Sequence, residues 1–314
     1  MLKKVVKKIV KKIAEKIISH NAWYRLKFGD VHRIKKQLVF NLDVINTGSN
    51  SAYYGFDYTS VQVKGANLAM RPQSLPQDLN MLKMYESFLR SKGTIIVPLC
   101  PFSSCYKTYS QSYLERYFGV WHPGLIENFE ISKCEKYWRE MNSPLRNTPV
   151  PMIKGFAQSF INFVLRRKEK IKYDYQPMNK RQLDADAEQW VQGWQKEFKI
   201  DNLDSDLPTH ILEGRKKRIA TLKELITFCK EREFKLVFVM PPITDHLSSK
   251  FSETFFKNYI HSFLDESGAK DISFLNYLND KELSNPDLYF NSFFLNKMGR
   301  KLFTERVLKD AGVI

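Results

Sequence analysis

The run Thr94–Leu99 (TIIVPL) is apolar at five of its six positions. A strand that is apolar on both faces has no solvent side, so it belongs inside a sheet covered above and below by helices, the setting of parallel sheets. The rest of the chain fits that requirement. Lys36–Asn46 (KQLVFNLDVIN) reads as a strand and ends in Thr47-Gly48-Ser49-Asn50-Ser51, a turn composition. A turn-rich stretch at Gly65-Ala66-Asn67 leads to a helix from Leu79 to Arg90, with Leu79, Leu82, Tyr85, Phe88 and Leu89 on one face. A long helix from Ile211 to Arg232 precedes FKLVFVM at 234–240 and Pro241-Pro242. A helix over 252–267, a strand at Ile272–Asn276 and a last helix from Lys297 to Asp310 complete the series. Strands alternating with helices predict an α/β fold with a doubly wound parallel sheet. Residues 105–210 interrupt the alternation. They are rich in aromatics, basic residues and prolines (Pro144, Pro149, Pro151), with helices expected near Phe156–Lys170 and Gln182–Phe198, and read as a helical insertion.

Of 314 residues, 43% are hydrophobic, enough for a sizeable core, which excludes general disorder and fibrous architectures. Cys100, Cys105, Cys134 and Cys229 show neither CxxC nor zinc-ligand spacing and read as reduced, structural thiols. The formal charge is +16, and Leu2–Ser19 (LKKVVKKIVKKIAEKIIS) holds seven lysines against one glutamate. At about 100° per residue, Leu2, Val5, Val6, Ile9, Val10, Ile13 and Ile17 form one stripe, with Lys3, Lys4, Lys7, Lys8 and Lys11 opposite. With Trp23 and Tyr24 just beyond, this basic amphipathic helix suits the interface of an anionic bilayer. Packing of the stripe on the protein's own core is the alternative. Nucleic acid is not expected as a partner, because no recognition motif accompanies the charge. No run is apolar enough to span a bilayer and the lysine-laden N-terminus is unlike a signal peptide, so the expectation is a cytoplasmic protein, peripheral at the inner face of the membrane. The expected division is 1–35 as basic helix and linker, and 36–314 as one α/β domain with its insertion.

Sites in doubly wound sheets lie beyond the carboxyl ends of the strands. The first such end offers Gly48-Ser49-Asn50-Ser51, where a serine hydroxyl at a strand-to-helix turn can meet a substrate and helix amides can stabilise an oxyanion. Serine and asparagine there also serve simply as helix caps. Gly65 and Asn67 on the next connection are candidate oxyanion donors. No Walker loop, Rossmann fingerprint or HExxH occurs, so no cofactor, nucleotide or metal is expected. The basic runs Arg166-Arg167-Lys168-Glu169-Lys170 and Arg215-Lys216-Lys217-Arg218 read as solvated helix faces or an anion-binding surface.

Taken in order, the Gly-x-Ser block after the first strand, Gly65-x-Asn67, and Leu295-Asn296-x-x-Gly299 before the last helix resemble the SGNH/GDSL-type esterases and acyltransferases. The branch it looks most like is that of the D-alanyl lipoteichoic acid transfer protein and of bacterial surface-polysaccharide cluster proteins. The likeness covers roughly residues 40–105 and 208–312. It implies a flavodoxin-like, three-layer α/β/α fold and hydrolysis or transfer of an O-acyl ester on a carbohydrate, through a serine aided by an Asp-x-x-His near the C-terminus. The implied partners are a carbohydrate or lipid-linked glycan and polysaccharide-synthesis enzymes.

This chain departs from that pattern where the chemistry would reside. Aligned as Gly-x-Ser, the first block puts Asn50 at the nucleophile position, with Ser49 and Ser51 on either side. Asn291 stands in place of the aspartate and Phe294 in place of the histidine. A phenylalanine cannot accept a proton, and loss of the base costs several powers of ten in rate. Two expectations follow: catalysis by Ser49 or Ser51 with His246, just past Pro241-Pro242, as relocated base, or a non-catalytic protein that binds a glycan, lipid-linked sugar or partner enzyme. Cys100 and Cys105 lie at the same sheet edge and are expected to be structural.

Overall fold

The computed structural model describes residues 15–105, 114–126, 129–165 and 178–314. In chain order its principal elements are α1 (Ala22–Gln37), β1 (Leu42–Asn46), α2 (Asn50–Tyr53), β2 (Gly65–Asn67), α3 (Leu75–Tyr85), β3 (Leu89–Pro98), α4 (Ile131–Asn142), α5 (Pro149–Val164), α6 (Lys180–Phe198), α7 (Thr209–Glu231), β4 (Lys235–Met240), α8 (Asp245–Ser248), β5 (Ser273–Asn276) and α9 (Lys297–Asp310). The chain divides into two compact units. One comprises residues 1–36 and 109–171, the other residues 37–108 and 172–314.

The second unit holds one five-stranded, wholly parallel sheet in the order β2-β1-β3-β4-β5. This is the 2-1-3-4-5 order of doubly wound sheets, whose topological switch point lies between β1 and β3. Burial on both faces explains the apolar run that anchors it. Val44, Ile96, Val237 and Val239 face a cluster completed by Phe303, Val307 and Leu308 of α9, while the alternate residues Ile45, Ile95, Val97 and Phe238 are equally buried. The α9 boundary matches the sequence pattern because Asn296 caps it, its Oδ1 accepting from the Met298 and Gly299 amides at 2.9 and 3.0 Å.

Three boundaries differ from the periodicity. The helical conformation of α1 continues to Gln37, so β1 begins only at Leu42. Helix α3 begins at Leu75, where the Gln77 side chain accepts from the Ser74 amide at 2.7 Å and Pro76 occupies the first turn. It ends early enough for β3 to start at Leu89, with a register shift against β1 between Leu42 and Val44. Strand β2 has only three residues, too few to show a period of two.

In the other unit, Tyr24, Phe28, Val31 and Ile34 form the buried face of α1. Phe28 meets Tyr137 of α4 edge to face at 5.1 Å, the Tyr24 hydroxyl donates to the Met141 carbonyl at 2.9 Å, and Arg116 pairs with Asp30 at 3.1 Å. Trp23 is half-buried, edge-on to Phe28. Lys3, Lys4, Lys7, Lys8 and Lys11, like the run 166–170, lie outside the described residues. Helix α5 begins at Pro149, because Pro149 and Pro151 fall in its first turn, where a missing N–H costs nothing.

Candidate functional site

At the carboxyl end of β1 the backbone turns through Gly48, whose φ is +114° and whose absent Cβ would lie 2.6 Å from that of Ala52. Only glycine fits there. Its N–H donates to Asp78 Oδ1 at 2.6 Å. Ser49 precedes α2 and its hydroxyl accepts from the Gln73 amide at 3.2 Å. Asn50 opens α2, its carbonyl accepting from the Tyr54 amide at 3.0 Å. Ser51 follows. Ser49, Ser51, Asp78, Cys100, Ser103 and Arg218 line a cavity of about 30 Å3 at this edge, room for about one water molecule.

Asp78 was not legible as a site residue. In sequence it is an acid in the first turn of a helix, a placement favoured by the helix dipole. In the structure it is 3% exposed. Burial pushes its carboxyl up to about 7, the bonds from Gln73 and Gly48 pulling the other way. Its Oδ1 also accepts from Gln73 Nε2 at 2.7 Å.

Gly65 and Asn67 lie on β2, beside β1. A Cβ on Gly65 would sit 2.3 Å from the Tyr58 ring, so close packing requires this glycine. The Asn67 amide is fully engaged. Its Nδ2 donates to the carbonyls of Ala52 and Phe56 at 3.1 and 3.2 Å, and its Oδ1 accepts from Asn46 Nδ2 and the Ala69 amide, both at 3.0 Å. Two donors and two lone pairs are thus spent on joining β1, α2 and β2.

The loop before α9 returns to this edge. Asn291 Oδ1 accepts from the amides of Phe293 and Phe294 at 3.1 and 2.7 Å and so fixes the turn. The buried Phe294 ring lies 5.0 Å from Tyr54, just past α2, and 5.5 Å from Trp190 of α6. Tyr54 is in turn held by Arg71, which donates to its hydroxyl and stacks 4.0 Å over Tyr53. The structure therefore brings the Phe294 position to the neighbourhood of the Ser49 turn and fills it with packed rings.

Helix α6 lies on the loops that follow β3 and β4 and on the loop before α9. His246, on α8, has its Nδ1 2.5 Å from Asp184. Asp186 accepts from the amide and hydroxyl of Ser292 at 2.9 and 2.5 Å, and Glu188 pairs with Lys250 at 3.2 Å. Trp194 packs at a tilt against Phe102 at 5.0 Å and meets Phe293 edge to face at 5.3 Å. The sequence signal for this contact was Trp190 and Trp194, one helical turn apart on one face. Among the described residues the His246 ring is hydrogen bonded to Asp184 and to no serine hydroxyl.

Burial pushes the Cys105 and Cys229 thiols up to about 12, which makes both poor nucleophiles, and Cys100 Sγ accepts from the Ser103 hydroxyl at 3.4 Å. No group of three His, Cys, Asp or Glu side chains among the described residues is arranged to hold a metal ion. No protein-family model matches the chain, and no curated protein matches it.

Proposed function

We propose that this chain is an SGNH-like protein of bacterial surface-polysaccharide biosynthesis that has lost ester chemistry and binds a glycan, lipid-linked sugar or partner enzyme at the membrane surface. One observation carries the loss of chemistry: the Phe294 ring, where the resembling family has its histidine, is packed between Tyr54 and Trp190. The supporting geometry is consistent with it. The Gly48 amide is spent on Asp78 and the Asn67 amide on backbone carbonyls, so two of the donors expected for an oxyanion have other partners. The cavity beside Ser49 is small, about 30 Å3, and forms no deep pocket for an acyl group.

The second reading keeps O-acyl transfer or hydrolysis by Ser49 or Ser51 with His246 as base. The Asp184–His246 contact favours it, since a carboxylate on Nδ1 fixes the orientation and tautomer of an imidazole. An aryl-acetate hydrolysis assay separates the two. The expected result is turnover at the buffer rate for the wild type; hydrolysis that disappears in Ser49→Ala or His246→Ala overturns the binding reading in favour of the enzyme.

A further inference from the structure

The formal charge is divided very unevenly between the two units. Residues 1–36 and 109–171 contain 22 Lys and Arg against 8 Asp and Glu, a net +14 of the chain's +16, whereas the sheet unit has 28 against 26. The sheet unit is therefore almost neutral, and the first unit has the electrostatic character of a surface for anions.

The same unit contains a helix whose apolar side is turned away from its own core. Only Met152 and Gly155 of α5 are buried. They and Ser159 pack on the start of α1: Asn21 Nδ2 donates to the Met152 carbonyl at 2.8 Å, a Cβ on Gly155 would lie 2.1 Å from Asn21, and the Ser159 hydroxyl donates to the His20 carbonyl at 3.0 Å. At about 100° per residue, Phe163, Phe160, Ile153, Val164, Ala157, Val150 and Ile161 fill a continuous arc of about 160° with no polar residue in it. Ile153 and Phe160 are each 66% exposed and Phe163 is 81% exposed. A surface helix of a globular protein buries such a stripe, and a patch of this kind marks an interaction site.

We propose that α5 inserts its Ile153–Phe160–Val164 face into the interface of an anionic bilayer and is a second membrane-binding element beside the N-terminal lysine segment. The proposal rests on the membrane reading above and names a further residue set for it. Charge complementarity selects the occupant. The net +14 of this unit repels a second copy of itself and attracts anionic headgroups. Contacts of Met152 and Ser159 of α5 with residues 20–22 hold the helix against the residues that, in sequence, directly follow the lysine segment. In sequence α5 runs directly into Arg166-Arg167-Lys168, basic residues suited to headgroups next to a buried apolar face. A groove of about 870 Å3 in this unit, lined by Lys16, Arg25, Arg33 and Lys36 with Ile18 and Met141, adds basic and apolar surface of the same kind.

The experiment is flotation of the full chain with vesicles of phosphatidylglycerol and phosphatidylcholine. It compares wild type, a triple variant Ile153→Ser, Phe160→Ser, Val164→Ser, and a variant with Lys3, Lys4, Lys7 and Lys8 changed to Gln. The serine substitutions are at exposed positions, and matching circular dichroism melts check that the fold is kept. The expected result is vesicle partitioning at least about tenfold weaker in the triple variant. In parallel, Phe160→Trp should show a blue-shifted emission increment over wild type on adding vesicles. Equal flotation of triple variant and wild type, with the lysine variant impaired, overturns the α5 proposal and leaves the membrane reading standing. No flotation of the wild type overturns both. A wild-type dimer in sedimentation that the triple variant converts to monomer, without vesicle binding, overturns it in favour of a second copy as the occupant.

Discussion

Asp78 shows how a single buried acid couples the Ser49 turn to solution pH. Its folded value, about 7, is above the usual carboxylate range because burial disfavours the charged form. Below the unfolded value, near 4, both states bind the proton and the group has no net effect on stability. Between about 4 and 7 the folded state binds more protons than the unfolded chain, so stability falls as pH rises through this window and stays low above it. Asp78→Asn retains the Oδ1 acceptor for Gly48 and Gln73 and cannot ionise. Its stability relative to wild type should rise between pH 4 and 8, by on the order of 4 kcal/mol in total, measured as the midpoint of chemical unfolding across that range. A constant difference at every pH would place the ionisation elsewhere. At this scale the sequence was informative where a local rule decides the residue, as for Gly48 at the turn or Asn296 at the cap. It was silent on Asp78, whose burial depends on residues 47–49 and 73 folding over it.

Among the elements, α6 is the one whose role composition concealed. The segment 105–210 read as one insertion because its aromatics, prolines and charges share no strand pattern. In the structure its first part falls in the basic unit, and α6, from its second part, covers the edge of the sheet. Helical periodicity identified α6 as a helix but contains no information about which distant loops it meets. Trp194 is buried against Phe102, Phe251 and Phe293. Trp194→Ala should therefore cost about 3–5 kcal/mol in global stability. Hydrogen exchange should also show the amides of Phe293 and Phe294 losing protection beyond what the global change accounts for. Unchanged exchange in that loop would mean α6 does not hold it. Helix α5 starts at Pro149, seven residues before the Phe156 expected from the sequence, because Pro149 and Pro151 occupy its first turn, where a missing N–H is tolerated.

For the molecule as a whole, four of the five parallel strands and the alternating helices were legible because buried strands and amphipathic helices leave different periods in the sequence, whereas the three residues of β2 read as a turn. The partition of charge was only half visible. The first nineteen residues stood out, but the contribution of 109–171 to the same unit required the tertiary contacts. Among the described residues no helix is long and apolar enough to cross a bilayer, so attachment as proposed is interfacial and partly electrostatic. Raising salt from about 0.05 to 0.5 M should lower partitioning to anionic vesicles at least about tenfold, while leaving the weaker binding to neutral vesicles nearly unchanged. Salt-independent flotation would assign the binding to apolar insertion alone.

The division of the chain also imposes an order on its biosynthesis. The basic unit is complete at residue 171, when the sheet unit has only β1, β2 and β3. Strand β3 must wait for β4, which ends at Met240, and at about 5–20 residues per second the 69 residues from 172 to 240 take roughly 3–14 s to be added. During that interval Ile95 and Val97 lie on an open strand edge with no partner on the β4 side. A nascent chain that docks through this unit as proposed would be tethered before its sheet closes, and the exposed edge would then mature at a surface, away from other nascent copies in the bulk.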